Sequence, residues 1–326
     1  MKIAIIDTAN LFKVKKRNTT TNRNGAPCGG VVGVAHAILL MRSEGYVPVC
    51  ALEGKNSTAW RRSIIKTYKK GHGSAKPRGD LDPEADNTRW QWQAMLTLLE
   101  LLKVPMLFAQ GKEGDDVIAF LTHLALNNKK IKEVRIVSND RDFHRLLSRS
   151  GKVRLTSSIN TQESLTWGKF IRKHGYSPAL TIWYKIMVGD PSDGIKGIPR
   201  IGIVKAKKIV TAMHKRGINP QSIDEFLEWT ADHPSVLPRG AAEILDTNHQ
   251  LISPLFKVLS LDYNLVAARM KLCCEMQPRA GNLSEIAIWF RKYQIDVKPE
   301  TFTSARYCKA SPELVNQLAY QQVSML

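Results

Sequence analysis

Hydrophobic and polar residues follow two periods along the first half of this chain. Short runs rich in β-branched residues, Lys2 to Ile6, Val47 to Leu52, Met106 to Ala109 and Val134 to Val137, are each followed by Gly, Asp, Asn or Ser. Runs of this length and composition predict buried parallel strands. Between them, over Val31 to Arg42, Trp90 to Leu102 and Asp116 to Asn127, apolar residues recur at three and four positions and predict helices. The alternation predicts an α/β domain with a mostly parallel, doubly wound sheet and helices on both faces. In such sheets ligands bind in the crevice beyond the carboxyl ends of the strands. Later in the chain, Gly197 to Gly202 followed by Val204 to Val210 reads as a hairpin entering a helix with lysines on its outer face. Phe256 to Leu265 reads as a helix ending in a short strand and Ile286 to Tyr293 as an amphipathic helix, with Trp167, Trp183 and Trp289 expected in the core.

A length of 326 residues suggests about two compact units. The longest apolar run, Val31 to Met41, is broken by Gly33 and His36 and is too short to span a bilayer, so no membrane partner is expected. The chain opens directly into Lys2 to Asp7 without a basic n-region or cleavage site, so a cytoplasmic location is expected, the host cytoplasm if the protein is viral. Five cysteines without C-x-x-C spacing point to reduced structural thiols rather than disulfides or zinc. No G-x-x-x-x-G-K-[ST] motif for nucleotide hydrolysis occurs.

Charge sharpens the picture. Against 29 acidic residues the chain carries 48 Lys and Arg, a net charge of +19, which favours a polyanionic partner, nucleic acid above all. The basic residues lie in acid-free stretches: Thr8 to Ser43; Lys55 to Gly79 with Trp60 and Tyr68 interleaved; and Gly194 to Ile223. The carboxylates fall where the strands end: Asp7 after the first, Glu53 after the second, Glu113, Asp115 and Asp116 after the third, Asp140 and Asp142 after the fourth. Asp115, Asp116 and Asp142 suit helix caps, whereas no cap is expected to require Asp7 or Glu53. Like charges at about 4 Å repel by up to ~4 kcal/mol at an effective dielectric near 20, so such an edge calls for cations. An all-oxygen set selects hard divalent ions, Mg²⁺ or Mn²⁺. Two such ions ringed by phosphate-binding cations describe phosphodiester hydrolysis.

These residues also carry a resemblance. Asp7, the run Gly111 to Asp116, the run Ser138 to Phe143 and the run Gly189 to Gly202 resemble, in order and spacing, the flap endonuclease or 5′ nuclease family. Trp60-Arg61-Arg62 through Tyr68-Lys69-Lys70-Gly71 is most similar to its bacteriophage branch, which includes the primer-removing ribonuclease H and the phage 5′→3′ exonucleases. The resemblance covers roughly residues 1 to 210 and implies a PIN-like α/β core, a helical arch and a helix-hairpin-helix DNA-binding subdomain. The boundaries expected are 1–160 for the core with the arch at about 54–90, 161–255 for the helix-hairpin-helix part, and 256–326 for a C-terminal helical extension and tail.

The resemblance implies two Mg²⁺ ions, with Mn²⁺ substituting. Asp7, Glu53, Glu113 and Asp115 would hold the first. Asp140, Asp142, Asp190 and Asp193 would hold the second, with Asp115 or Asp116 shared. Glu53 departs from the Asp usual in the family. Lys69 or Lys70 would stand nearest the scissile phosphate. Arg61, Arg62, Lys66 and Tyr68 would contact the 5′ strand, with Tyr68 or Trp60 stacking a base. Gly197, Gly202, Lys205, Lys207 and Lys208 would grip duplex without reading bases, with a monovalent cation at the hairpin. Expected partners are branched or 5′-ended DNA and RNA–DNA duplex, together with a single-strand-binding protein or sliding clamp, for a chain acting as a monomer. The tail Gln322-Val323-Ser324-Met325-Leu326 resembles short clamp-docking peptides, Gln322 supplying a hydrogen bond and Val323, Met325 and Leu326 apolar anchors. Two rivals remain: a non-catalytic DNA-junction binder, against which the intact carboxylates argue, and a haloacid-dehalogenase-like phosphatase, which needs an acid where Ala9 stands.

Overall fold

The computed structural model describes residues 1–70, 83–158, 163–233, 236–238, 240–253 and 283–295. The distal part of the expected arch, the Phe256 to Leu265 segment and the tail residues Gln322, Val323, Met325 and Leu326 lie outside the described residues.

The short apolar runs form β1 (Lys2–Asp7), β2 (Tyr46–Ala51), β3 (Met106–Leu107) and β4 (Glu133–Val137). With β5 (Val153–Thr156) and β6 (Ser164–Leu165) they make one sheet of order β3-β2-β1-β4-β5-β6. All pairs are parallel except the antiparallel β5–β6 edge. Alternation along β1 sends Ile3 and Ile5 into one core and Ala4 and Ile6 into the other, as a strand covered on both faces requires. The mostly parallel sheet with helices on both faces is thus present. The sequence reading did not include β5 and β6, whose apolar runs are too short to stand out.

One face carries α1 (Thr8–Lys15), α2 (Gly29–Ser43), α4 (Pro83–Leu101) and α11 (Leu283–Lys292). On the other lies α5 (Gly114–Asn127), and its core runs without a break into α6 (Trp167–His174), α7 (Thr181–Val188), α8 (Ile203–Lys215), α9 (Ile223–Ala231) and α10 (Ala241–Ile252). Trp183 and Trp289 are buried as expected, on opposite faces of the sheet, and Trp167 is partly buried against the core that holds Trp183. Trp183 stacks on Phe226 at 4.4 Å and donates its indole N–H to the Pro220 carbonyl at 3.1 Å. A short hairpin, β7 (Gly189–Asp190) with β8 (Ile195–Lys196), links α7 to α8. Asn248 on α10 secures it, its side-chain amide donating to the carbonyls of Ile186 (2.9 Å) and Lys196 (2.8 Å). The short helix α3 (Ala59–Ile64) follows β2, within the span expected for the arch. Among the described residues no helix is long and apolar enough to cross a membrane.

Candidate active site

Strand ends place the carboxylates, and local hydrogen bonds aim them. Asp7 ends β1, and the chain turns at once into α1, whose Asn10 N–H donates to Asp7 at 3.0 Å. Asp7 is therefore a helix cap after all; strand and helix abut without a loop, which hid the cap in the sequence. Its other oxygen accepts from the Ser138 hydroxyl at 2.7 Å, and Ser138 in turn accepts from the Asp140 N–H at 3.0 Å. Asp140 caps the 3₁₀ turn Arg141–Leu146 by accepting the Asp142 N–H at 2.8 Å. Asp190 does the same for the turn Pro191–Asp193, accepting the Ser192 N–H at 3.0 Å. Caps of this kind fix the carboxylate rotamers before any ligand arrives.

The result is an acidic cluster under electrostatic stress. Burial, then the charges of Asp140 and Asp7, push the Asp115 carboxyl well above its ordinary range. Asp140 is raised by burial and by Asp142, and Asp7 by burial despite its hydrogen bonds from Ser138 and Asn10. Asp193 is raised by burial as well. Asp190 moves the other way: burial opposes its charge, but the Lys185 ammonium and Ser192 outweigh it and hold the carboxyl low.

Three cations reach into this cluster. Lys185, a lone charge in the apolar helix α7, bridges Asp142 and Asp190, the latter at 2.7 Å. Lys69 pairs with Glu113. Arg61 is 4 % exposed; it grips Asp116 with two nitrogens at 2.7 and 2.9 Å, meets Glu113, and donates its Nε–H to the Leu251 carbonyl at 3.0 Å. Arg145 donates to the neighbouring Ile252 carbonyl, so the last turn of α10 receives two guanidinium groups from the site.

This arrangement corrects several expectations. Arg61 faces inward and neutralises carboxylates, so it is not placed to contact a strand of nucleic acid. Tyr68 is 3 % exposed, with its hydroxyl 2.8 Å from Glu113 and 3.4 Å from Asp193, so its ring is not offered to a base. Trp60 lies under the Arg61 guanidinium at 4.3 Å and the Lys112 ammonium at 5.6 Å, so its ring is already engaged. Asp116 is turned toward Arg61 and, in the α5 capping box, toward the Glu113 N–H, rather than outward beside Asp115. At Gly197 a side chain would collide with the Val188 carbonyl, so that glycine serves the packing of the hairpin on α7.

Arg62, Lys66 and Lys70 are exposed on and just after α3, and Glu53 is exposed just past the end of β2. Gly202, exposed and with open space around it, leads into α8, where Lys207 and Lys208 are exposed and Lys205 is half-buried. The sequence reading missed Lys185, Arg145 and Ser138, and also the exposed basic face of α6: Lys169, Arg172 and Lys173. A lysine inside the apolar run Thr181–Val188 was the available signal for the first. Among the described residues no three acidic, histidine or cysteine side chains gather closely enough to hold an ion as they stand. The donors are nonetheless hard oxygens whose raised proton affinities come from burial and from one another, so the set suits a divalent cation.

Comparison with known proteins agrees with this geometry. Residues 2–175 match the family model for the 5′-3′ exonuclease N-terminal resolvase-like domain. Over 196 residues the chain is 30% identical to the thermostable DNA polymerase I of Thermus thermophilus, covering 60% of this chain and 22% of the polymerase. The chain thus spans about a fifth of such polymerases. It is 28% identical to a 5′-3′ exonuclease of Bacillus subtilis over 226 residues, 69% of each chain. In fold it is similar to the T5 5′-exonuclease, solved with zinc bound, at a TM-score of 0.62 and 19% identity, covering 84% of this chain and 100% of that one. It is also similar to the Holliday junction-resolving enzyme GEN1, solved with product DNA and Mg²⁺, at a TM-score of 0.52 and 13% identity, covering 89% of this chain and 65% of that one.

Proposed function

The chain belongs to the 5′-3′ exonuclease family, and from that premise we propose that it is a metal-dependent, structure-selective 5′ nuclease that hydrolyses phosphodiester bonds in branched or 5′-ended DNA and in RNA–DNA duplex. The observation that carries this reading is the junction of the β1 and β4 ends. There Asp7 and Asp140 share Ser138, Asp115 is stressed by both, and Lys69 and Lys185 stand at the edges.

Two Mg²⁺ ions, or Mn²⁺ in their place, suit the donors: Asp7, Glu53, Glu113 and Asp115 for one, Asp140, Asp142, Asp190 and Asp193 for the other. Bound there, they would supply a nucleophilic hydroxide and neutralise the leaving oxygen. The protein's own contribution is preorganisation. Ser138, Asn10 and the cap hydrogen bonds hold the carboxylates in direction. Arg61 offsets the charge of Glu113 and Asp116, which lets acidic groups crowd at this edge. Lys69, paired with Glu113, would meet a phosphate once Glu113 turns to a cation. Arg62, Lys66 and Lys70 line the entry for a 5′ strand. The start of α8 at Gly202, with Lys205, Lys207 and Lys208, holds duplex by its phosphates, with a monovalent cation at the hairpin. Docking of the tail on a sliding clamp, partnership with a single-strand-binding protein and action as a monomer belong to the same proposal.

The test is direct. End-labelled nicked, gapped, 5′-flapped and RNA-primed duplexes are incubated with the protein in EDTA, Mg²⁺ and Mn²⁺. Cleavage near the 5′ junction that appears with either ion and vanishes in Asp115→Asn is the expected result. Binding without cleavage under every condition would replace the nuclease reading with that of a junction-binding protein.

A further inference from the structure

Residues 67–70 meet the second group of carboxylates through backbone as well as through the Tyr68 hydroxyl. Residues 67–70 form a tight turn in which the Lys70 N–H donates to the Thr67 carbonyl at 3.0 Å, and the Tyr68 N–H donates back to Ile65 at 3.0 Å. The turn's central residues are the two that reach Glu113: the Tyr68 hydroxyl at 2.8 Å from one oxygen and the Lys69 ammonium on the other. Lys69 itself has φ +48°, left-handed for a side chain with a Cβ. That conformation is strained for such a residue and persists only where the surroundings impose it.

Those surroundings are the turn Pro191–Asp193 and the glycine that ends it. The Lys69 N–H donates to the Asp193 carbonyl at 3.0 Å. Gly194, at φ +77°, lies against Thr67: a Cβ there would stand 2.8 Å from the Thr67 carbonyl oxygen and 3.4 Å from its carbon. That oxygen is the acceptor of the hydrogen bond that closes the turn, so whatever pushes it moves Tyr68 and Lys69 together. We propose that Gly194 is a positioning residue, the seat on which the 67–70 turn rests so that Lys69 is aimed into the carboxylate cluster. Residue 194 would then couple the arch base to the Asp190 and Asp193 loop without touching substrate. The inference rests on the reading of Lys69 as the phosphate-facing lysine.

Gly194→Asn separates seating from backbone strain, because Asn tolerates a left-handed φ yet carries a Cβ. Gly175→Asn is the control: Gly175 ends α6 at φ +81° and has nothing within 4 Å of where a Cβ would stand. The full-length variants are compared by single-turnover cleavage of a 5′-tailed duplex in Mg²⁺, by affinity for the same duplex in EDTA, and by acylation of Lys69 followed by mass spectrometry without DNA. Gly194→Asn is expected to lose roughly tenfold to 100-fold in rate, the scale of an ångström-sized misplacement, with affinity within about twofold and Lys69 acylated faster. Gly175→Asn should match the parent. In a Lys69→Met background, Gly194→Asn should cost nothing more. A parental rate with parental acylation in Gly194→Asn, or a loss that multiplies undiminished in the Lys69→Met background, overturns the proposal. If Lys69→Met alone cleaves at the parental rate, the reading of Lys69 fails, and acylation decides the seat: faster acylation in Gly194→Asn sustains it and unchanged acylation overturns it.

Discussion

Replacing Arg61 with Met should destabilise the protein more than most single changes can. The side chain of Arg61 is 5% exposed and that of Asp116 is 1% exposed, so the pair sits beyond the reach of solvent. Burial works against the guanidinium charge, but Asp116 and then Glu113 more than offset it and raise its proton affinity. Removing one partner of a buried, hydrogen-bonded pair costs about 3–5 kcal/mol, because the remaining charge has nothing to replace it. The Leu251 carbonyl loses its donor as well, for about 1 kcal/mol or more. Glu113 keeps Lys69 and Tyr68, so the larger share of the loss falls on Asp116. A total of about 4–6 kcal/mol is a large fraction of the roughly 5–15 kcal/mol that holds a domain folded. At roughly 2–4 °C per kcal/mol, the melting temperature should fall by about ten degrees or more. Arg61→Lys, which keeps the charge but not the fork, should lose less than half of that. Arg61→Met combined with Asp116→Leu should recover part of it, since an apolar pair leaves no buried charge. Thermal and urea melts of the metal-free protein check this series. A loss below about 1 kcal/mol in Arg61→Met, or no recovery in the double variant, would refute the reasoning.

Asp142→Asn should abolish cleavage while binding a 5′ flap as tightly as the parent or more so, because a repulsive carboxylate beside the phosphate is gone; near-parental hydrolysis by this variant would falsify the carboxylate assignment. Replacing Lys207 and Lys208 together should weaken binding equally on unrelated duplex sequences and flatten the salt dependence by roughly one to two units; a base-specific loss in binding titrations would contradict it. His144 sits 5.2 Å from Phe170 and 5.9 Å from His174, and burial with the charges of His174 and Arg141 lowers its proton affinity to about 4. Its neutral form is the one the fold favours, so its contribution is fully present above about pH 6.5 and is lost as pH falls toward 4. After allowance for partial exposure this amounts to about 2 kcal/mol, which His144→Phe should spare in denaturant melts at pH 7 and pH 4.5; equal acid losses in parent and variant would count against it.

The parts that were legible in the sequence are those set by short-range rules. Lys2 to Ile6 and Val134 to Val137 announce strands because a strand buried on both faces has no polar face, and the acids that follow them stand where parallel strands must end. Arg61 and Tyr68 sit in a run of exposed lysines and read as surface residues. Their burial depends on Glu113 and Asp116, which lie 45 to 55 positions away and carry no local sign of the pairing. Lys185 was hidden for the opposite reason: its neighbours are apolar, Trp183 among them expected in the core, and only Asp142 and Asp190 arriving from two other elements give its charge a purpose. At Asp7 the missing loop between β1 and α1 concealed a cap that stands beside the carboxylate's other hydrogen bond, to Ser138.

The two arginines that end on α10 set a schedule for the growing chain. Arg61 and Arg145 lie early in the chain, whereas the carbonyls that receive them, those of Leu251 and Ile252, belong to the last turn of a helix reached much later in synthesis. Until that turn has left the ribosome, the guanidinium that balances Glu113 and Asp116 has no acceptor on its far side and the edge of the acidic cluster has no floor. A partly made chain therefore carries every strand-end carboxylate and the cations that balance them, but not the carbonyls that hold Arg61 and Arg145 in place. The last turn of α10 thus fixes where two of the site's cations stand, although it contributes no charge of its own.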